Sequence, residues 1–96
     1  MKILVVCGSG LGSSFLIEMN IKKILKEIGV TAEVDHADLG SAKGYKADIL
    51  VGTRDIAVQL YDIGGEVVSL DNMIDTDSMK NKLIEAIERV KHKNKN

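Results

Sequence analysis

The side chains best able to do chemistry lie in one short run near the amino end, Cys7-Gly8-Ser9-Gly10-Leu11-Gly12-Ser13-Ser14. A cysteine thiolate is a strong nucleophile, and Cys7 is the chain's only cysteine. Gly8, Gly10 and Gly12 can take backbone angles closed to other residues, so that successive N–H groups turn inward and cradle an anion. Ser9, Ser13 and Ser14 add hydroxyl donors. If a helix follows, its positive end favours both an incoming phosphate and the thiolate form of Cys7. The chemistry on offer is transfer of a phosphoryl group to or from sulfur.

The bland reading makes Cys7 a buried strand-end thiol and the glycines a tight turn, but three glycines with three serines exceed what one turn requires. Other glycine loops fit less well. A nucleoside-triphosphate loop needs a Lys-Ser or Lys-Thr pair after its glycines, and none follows here. The dinucleotide fingerprint wants a third glycine where Ser13 stands, with Asp35 and Asp38 only weak candidates for its acid.

Such a loop must be held by a strand before it and a helix after it. Lys2 to Val6 is short, apolar and β-branched, as in a strand buried on both faces, and Cys7 ends it. Apolar residues at helical spacing follow from Phe15 to Ile28, with Gly29 as terminator. Further strands are expected at Thr31 to Asp35, Asp48 to Val51 and Glu66 to Leu70, with a polar glycine-containing connection from His36 to Lys46. A short helix capped by Thr53 carries Ile56, Leu60 and Ile63, and a last helix runs from about Thr76 to about His92. Strand and helix alternate, which predicts an α/β fold: a three-layer α/β/α sandwich on a four-stranded parallel sheet, Rossmann-like, with the loop at the carboxyl ends of the strands.

The whole chain agrees with one such domain, spanning residues 1–96 with a frayed end. Hydrophobic residues at 45% exclude a disordered chain, and a net charge of −1 argues against nucleic acid as a partner. No apolar run reaches the length of a membrane helix, so no direct membrane insertion is expected. A single free thiol suits a reducing, cytoplasmic location.

On a helical wheel Ile17, Ile21, Ile24, Leu25 and Ile28 share one face of the first helix, and Phe15, Met19, Lys22 and Lys26 lie opposite. Leu11, Phe15, Met19 and Lys22 therefore form a candidate docking patch beside the loop; the alternative leaves Phe15 and Met19 as incidental surface residues. Arg54 follows a strand end and either reaches a bound phosphate or pairs with Asp55 or Glu66. His36 is expected in a loop, solvated. Cys7, His36 and His92 do not make a metal pattern, and no metal is expected.

The loop also resembles that of low-molecular-weight cysteine phosphatases, but those carry an arginine where this chain has Ser13. Without that guanidinium a phosphocysteine is held rather than hydrolysed. A hydrolytic phosphatase and a noncatalytic anion-binding module are the alternatives to a carrier.

Val5-Val6-Cys7-Gly8-Ser9-Gly10-Leu11-Gly12-Ser13-Ser14, with Met19 and a lysine-rich helix behind it, resembles the EIIB component of the bacterial sugar phosphotransferase system, most of all its ascorbate-specific branch. The resemblance covers nearly the whole chain. It implies that Cys7 accepts a phosphoryl group from a phosphohistidine on an EIIA protein and passes it to a sugar, L-ascorbate, held by the membrane transporter EIIC. Gly8, Ser9, Gly10, Leu11, Gly12, Ser13 and Ser14 would be the phosphate cradle. No cofactor is implied, and a monomer is expected.

Overall fold

The computed structural model describes residues 1–7, 13–70 and 76–94. The elements run β1 (Lys2–Cys7), α1 (Ser13–Ile28), β2 (Glu33–Asp38), α2 (Leu39–Ala42), β3 (Ile49–Thr53), α3 (Arg54–Ala57), β4 (Glu66–Leu70) and α4 (Thr76–Asn94). The strands form one parallel sheet in the order β2-β1-β3-β4. The expected four-stranded α/β sandwich is the fold found.

Alternate residues of β1 divide the core in two. Ile3 and Val5 pack with Ile17, Ile21, Ile24 and Leu25 of α1 and with Met79, Leu83, Ala86, Ile87 and Val90 of α4. Leu4 and Val6 pack on the other side with Ala42, Ile56 and Leu60. Successive strand side chains point to opposite faces, so an unbroken apolar strand requires a helical layer on each. Burial of each large aliphatic side chain contributes about 1.5–3 kcal/mol, and it is this burial that fixes α1 against β1.

Two glycines stand at element boundaries where other residues would be strained, Gly29 after α1 and Gly65 before β4. Gly29 has φ 73°, and the following Val30 N–H donates to Leu25 C=O at 3.0 Å, which closes α1. Gly65 has φ 86°, and a Cβ there would lie 2.9 Å from the Ala47 carbonyl oxygen.

Several boundaries differ from expectation: β3 runs Ile49–Thr53 where Asp48 to Val51 was expected, and β2, α2 and α3 differ more. β2 starts and ends later than the predicted Thr31 to Asp35, because it is an edge strand: the apolar pattern stops at Val34, yet hydrogen bonding to β1 continues to the Cys7↔Asp38 pair. His36 therefore belongs to a strand, not a loop. α2 falls in the stretch expected to be a plain connection, nucleated by Asp38, whose Oδ1 accepts from Ser41 N–H at 2.6 Å. α3 is only one turn and gives way to turns that still carry Leu60 into the core. Thr53 stands at its N-cap position without a side-chain cap bond; its hydroxyl donates instead to Asp55 Oδ1 at 2.7 Å.

Helix α4 shields the β4 edge. Lys82 Nζ donates to the Ser69 carbonyl at 2.7 Å, and Glu66 holds Arg89 at 2.8 Å and Lys93 at 2.9 Å. Hydrogen bonds first from Lys93 and then from Arg89 hold the Glu66 carboxyl below its ordinary value. A depressed folded-state pKa stabilises the fold above the unfolded carboxylate pKa, and that contribution is lost as pH falls through the folded value. Glu66→Gln is expected to lower the thermal midpoint at pH 7 by a few degrees, roughly what partly exposed pairs supply. The gap from wild type should close on acidification from about pH 5 to pH 3. Thermal melts across that range check it, and a gap independent of pH would be the contrary result.

Candidate functional site

The site is set by topology. The chain leaves β1 toward β2 by way of α1 and leaves β3 toward β4 by way of α3, on opposite faces of the sheet. Adjacent parallel strands whose connections depart in opposite directions create a crevice at their carboxyl ends, where open α/β sheets bind ligands. That switch point lies between β1 and β3. Among the described residues their pairing ends at Val5↔Val51, whereas β1 stays paired with β2 up to Cys7↔Asp38 and β3 with β4 up to Thr53↔Leu70. Cys7 is thus the final residue of an interior strand, on the border of the crevice.

Helix α1 begins at Ser13 and carries no acidic residue in its first turn, whereas α3 and α4 carry Asp55 and Asp77 in theirs and α2 is capped by Asp38. The positive end of α1 is therefore not neutralised from within its own first turn. The expected cradle residues Gly8, Ser9, Gly10, Leu11 and Gly12 lie outside the described residues, as do the side chains of Cys7, Ser13 and Ser14.

The acids at the neighbouring strand ends are engaged locally. Hydrogen bonds from Ser41 hold the Asp38 carboxyl below its usual range, and one from the Thr53 hydroxyl does the same for Asp55. Both stay ionised and build turns. Arg54 opens α3 directly after β3. The expected alternative of pairing with Glu66 is corrected: Glu66 starts β4 opposite Ile49, at the far end of β3, about 13 Å down the strand from Thr53. It binds Arg89 and Lys93 there.

His36 lies in β2 and not in the expected loop, while its side chain is exposed, as expected. It pairs in register with Val5, two residues before Cys7, and its Nδ1 lies 3.4 Å from Glu18 Oε1. Glu18, at 7% exposure, is the buried charged residue among the described residues, and sequence reasoning missed it. Its position one residue after Ile17 on the wheel was a usable signal, because the buried face of α1 turns toward the β2 edge there.

Of the residues expected on the outer face of α1, those described are exposed. Phe15 is 59% exposed and Met19 53%, the Lys22 side chain is 60% exposed, and Leu16 joins them at 46%. Leu11 is outside the described residues. A groove of about 480 Å³ between α4 and the start of β4 is no rival for an anion, since it is lined by Glu66, Glu85 and Glu88 as well as Arg89, His92 and Lys93. No helix among the described residues is long and apolar enough to cross a membrane.

Comparison with known proteins agrees with this geometry. Residues 2–85 match the family model described as the lactose/cellobiose-specific IIB subunit of the PTS system. An ascorbate-specific PTS EIIB component from Mycoplasma pneumoniae is 32% identical over 84 residues, which cover 84% of this chain and 88% of that protein. One of the same description from Escherichia coli O157:H7 is 32% identical over 89 residues, covering 90% and 88%. Among solved structures, the lactose-specific IIB domain from Streptococcus pneumoniae superposes with a TM-score of 0.59 at 18% identity, covering 96% of this chain and 95% of that one. A low molecular weight protein tyrosine phosphatase from Bacillus subtilis gives 0.53 at 15% identity, with both chains covered in full. These two likenesses concern the fold alone. The family match along most of the chain, together with a cysteine-ended interior strand at the switch point of the sheet, makes the protein a member of the IIB family of the PTS, with the sugar phosphotransferase role of that family.

Proposed function

We propose that Cys7 is the phosphoryl carrier: it accepts the group from a phosphohistidine on an EIIA protein and delivers it to L-ascorbate held by a membrane EIIC transporter. The observation that carries this is the place of Cys7 at the end of β1, bordering the switch-point crevice in a chain whose next helix has an acid-free first turn.

In the first step the Cys7 thiolate sulfur bonds to phosphorus as the P–N bond breaks, and neutral imidazole leaves because its other ring nitrogen already bears a proton. In the second, a sugar hydroxyl oxygen bonds to phosphorus, its proton passes to water, and the S–P bond breaks to regenerate the thiolate. Backbone amides of Gly8 through Ser14 and the hydroxyls of Ser9, Ser13 and Ser14 hold the phosphoryl oxygens, and the α1 terminus stabilises thiolate and phosphate alike. The protein works as a single copy on the cytoplasmic side, between its two partners, with no cofactor. The ascorbate reading rests on the relatives from Mycoplasma pneumoniae and Escherichia coli. Incubation with phosphoenolpyruvate, the general phosphotransferase proteins and either an ascorbate-type or a lactose-type EIIA tests it. Mass spectrometry should find one added phosphoryl group quickly with the first and slowly with the second, and the reverse order would reassign the sugar.

Partner docking is assigned to Leu11, Phe15, Leu16 and Met19, with Lys22 as the adjoining charge. An apolar patch beside a reacting group, bordered by a cation, fits an apolar and acidic partner surface. The double substitution Phe15→Ser with Met19→Ser removes two exposed side chains, so stability should change by only about 0.5 kcal/mol per site. Transfer from EIIA should slow by about tenfold or more. Unchanged rates of transfer from EIIA and to EIIC would remove the patch from the interface.

A further inference from the structure

Away from the crevice, Glu18 of α1 meets Asp35 and His36 of β2, and one ligand atom from each of the three lies within 4.8 Å of the others. Glu18 is more than nine-tenths buried, at 7% exposure, an expensive place for a carboxylate that lacks strong partners. Among the described residues its contacts are His36 Nδ1 at 3.4 Å and Lys22 Nζ at 4.0 Å. Neither is a full-strength hydrogen bond, for which a charge-assisted N–H···O contact closes to about 2.7–2.9 Å. The separation has a different match. Two ligands at about 2.0–2.1 Å from a tetrahedral zinc ion stand roughly 3.3–3.4 Å apart, and imidazole nitrogen with carboxylate oxygen is a donor set that such ions accept. Glu18 Oε1 and His36 Nδ1 already stand at 3.4 Å.

Asp35 supplies a third donor from the same strand edge. Its Oδ1 accepts the His36 N–H at 2.9 Å, which holds the carboxylate beside the histidine. Its Oδ2 receives the Tyr45 hydroxyl at 3.4 Å, a long contact that leaves lone pairs free. Lys22 is the opposing charge, but its side chain is 60% exposed and can turn into solvent when a cation enters.

We propose that Glu18, Asp35 and His36 bind a divalent transition cation of the zinc type, with water in the remaining position. Such an ion would join the second turn of α1 to the edge strand β2. It is independent of phosphoryl transfer at Cys7. Since the Cys7 thiol is itself a zinc ligand, the test uses the full-length Cys7→Ser protein, titrated with zinc chloride by calorimetry and followed by thermal melting. Expected are one site with a dissociation constant on the order of micromolar and a raised melting temperature. Glu18→Gln and His36→Ala should each weaken binding by at least about tenfold. His36 is a half-exposed strand residue, so its variant keeps the fold even if the buried Glu18 variant does not, with circular dichroism as the check. Binding weaker than about 1 mM, or binding left unchanged by His36→Ala, would overturn the assignment.

Discussion

A Cys7→Ser protein should accept no phosphoryl group from any EIIA, a complete loss against the wild type. The substitution keeps a hydroxyl where the thiol was and changes one strand-end side chain, so the fold survives. What disappears is the nucleophile. A thiol near pKa 8.5 is readily drawn toward thiolate by a helix terminus, whereas an aliphatic hydroxyl stays protonated and attacks only with a base beside it. No histidine takes that part: among the described residues His36 lies on the edge strand β2 with its Nδ1 toward Glu18, and His92 lies near the far end of α4. Since Cys7 is the only cysteine, the experiment is unambiguous. Phosphorus NMR after incubation with phosphoenolpyruvate, the general phosphotransferase proteins and an ascorbate-type EIIA should give a thiophosphate resonance in the wild type alone. A resonance that persists in the variant would place the carrier elsewhere. No adduct in either protein, with several EIIA types tried, would turn the reading toward an anion-binding module.

The elements that flank the candidate site were legible in the sequence to the extent that backbone chemistry is local. The Ile3 to Val6 run can be read as a doubly covered strand because burial on both faces leaves no polar alternation. The covered face of α1 was equally clear, since Ile17, Ile21, Ile24 and Leu25 repeat at helical spacing and all are buried. Edge and end effects were not legible. β2 owes its last residues to hydrogen bonds with β1 rather than to side-chain pattern, so His36-Ala37-Asp38 reads as loop and folds as strand. The pairing of Glu18 with His36 follows from that miss, because only a strand at His36 brings the histidine up against α1. Arg54 and Glu66 separate for a similar reason: proximity depends on which ends of β3 and β4 coincide, and parallel pairing puts the start of one beside the start of the other.

The remaining large effect concerns position 13, where this chain has serine and not arginine. A phosphocysteine inside a ring of amide donors is held in its ground state, and those same donors are shared with the transition state, so binding alone does not hasten its loss to water. Hydrolysis gains when extra positive charge meets the phosphoryl oxygens only as the group passes from sulfur to water, and a guanidinium fork does this with two parallel bonds. Ser13 is the first residue of α1, six positions after Cys7, where arginine would suit both the helix and the reach to the phosphate. Ser13→Arg is therefore expected to shorten the lifetime of the phosphorylated protein, without EIIC or sugar, by at least about tenfold, within what one well-placed donor is worth. Ser13→Lys supplies the charge without the fork and should shorten it less. Decay of the phosphorus resonance after removal of EIIA measures all three proteins. Equal lifetimes would mean that the adduct is protected by exclusion of water from the crevice and not by the missing cation, and carrier and hydrolase chemistry on this fold would then be separated by access rather than by electrostatics.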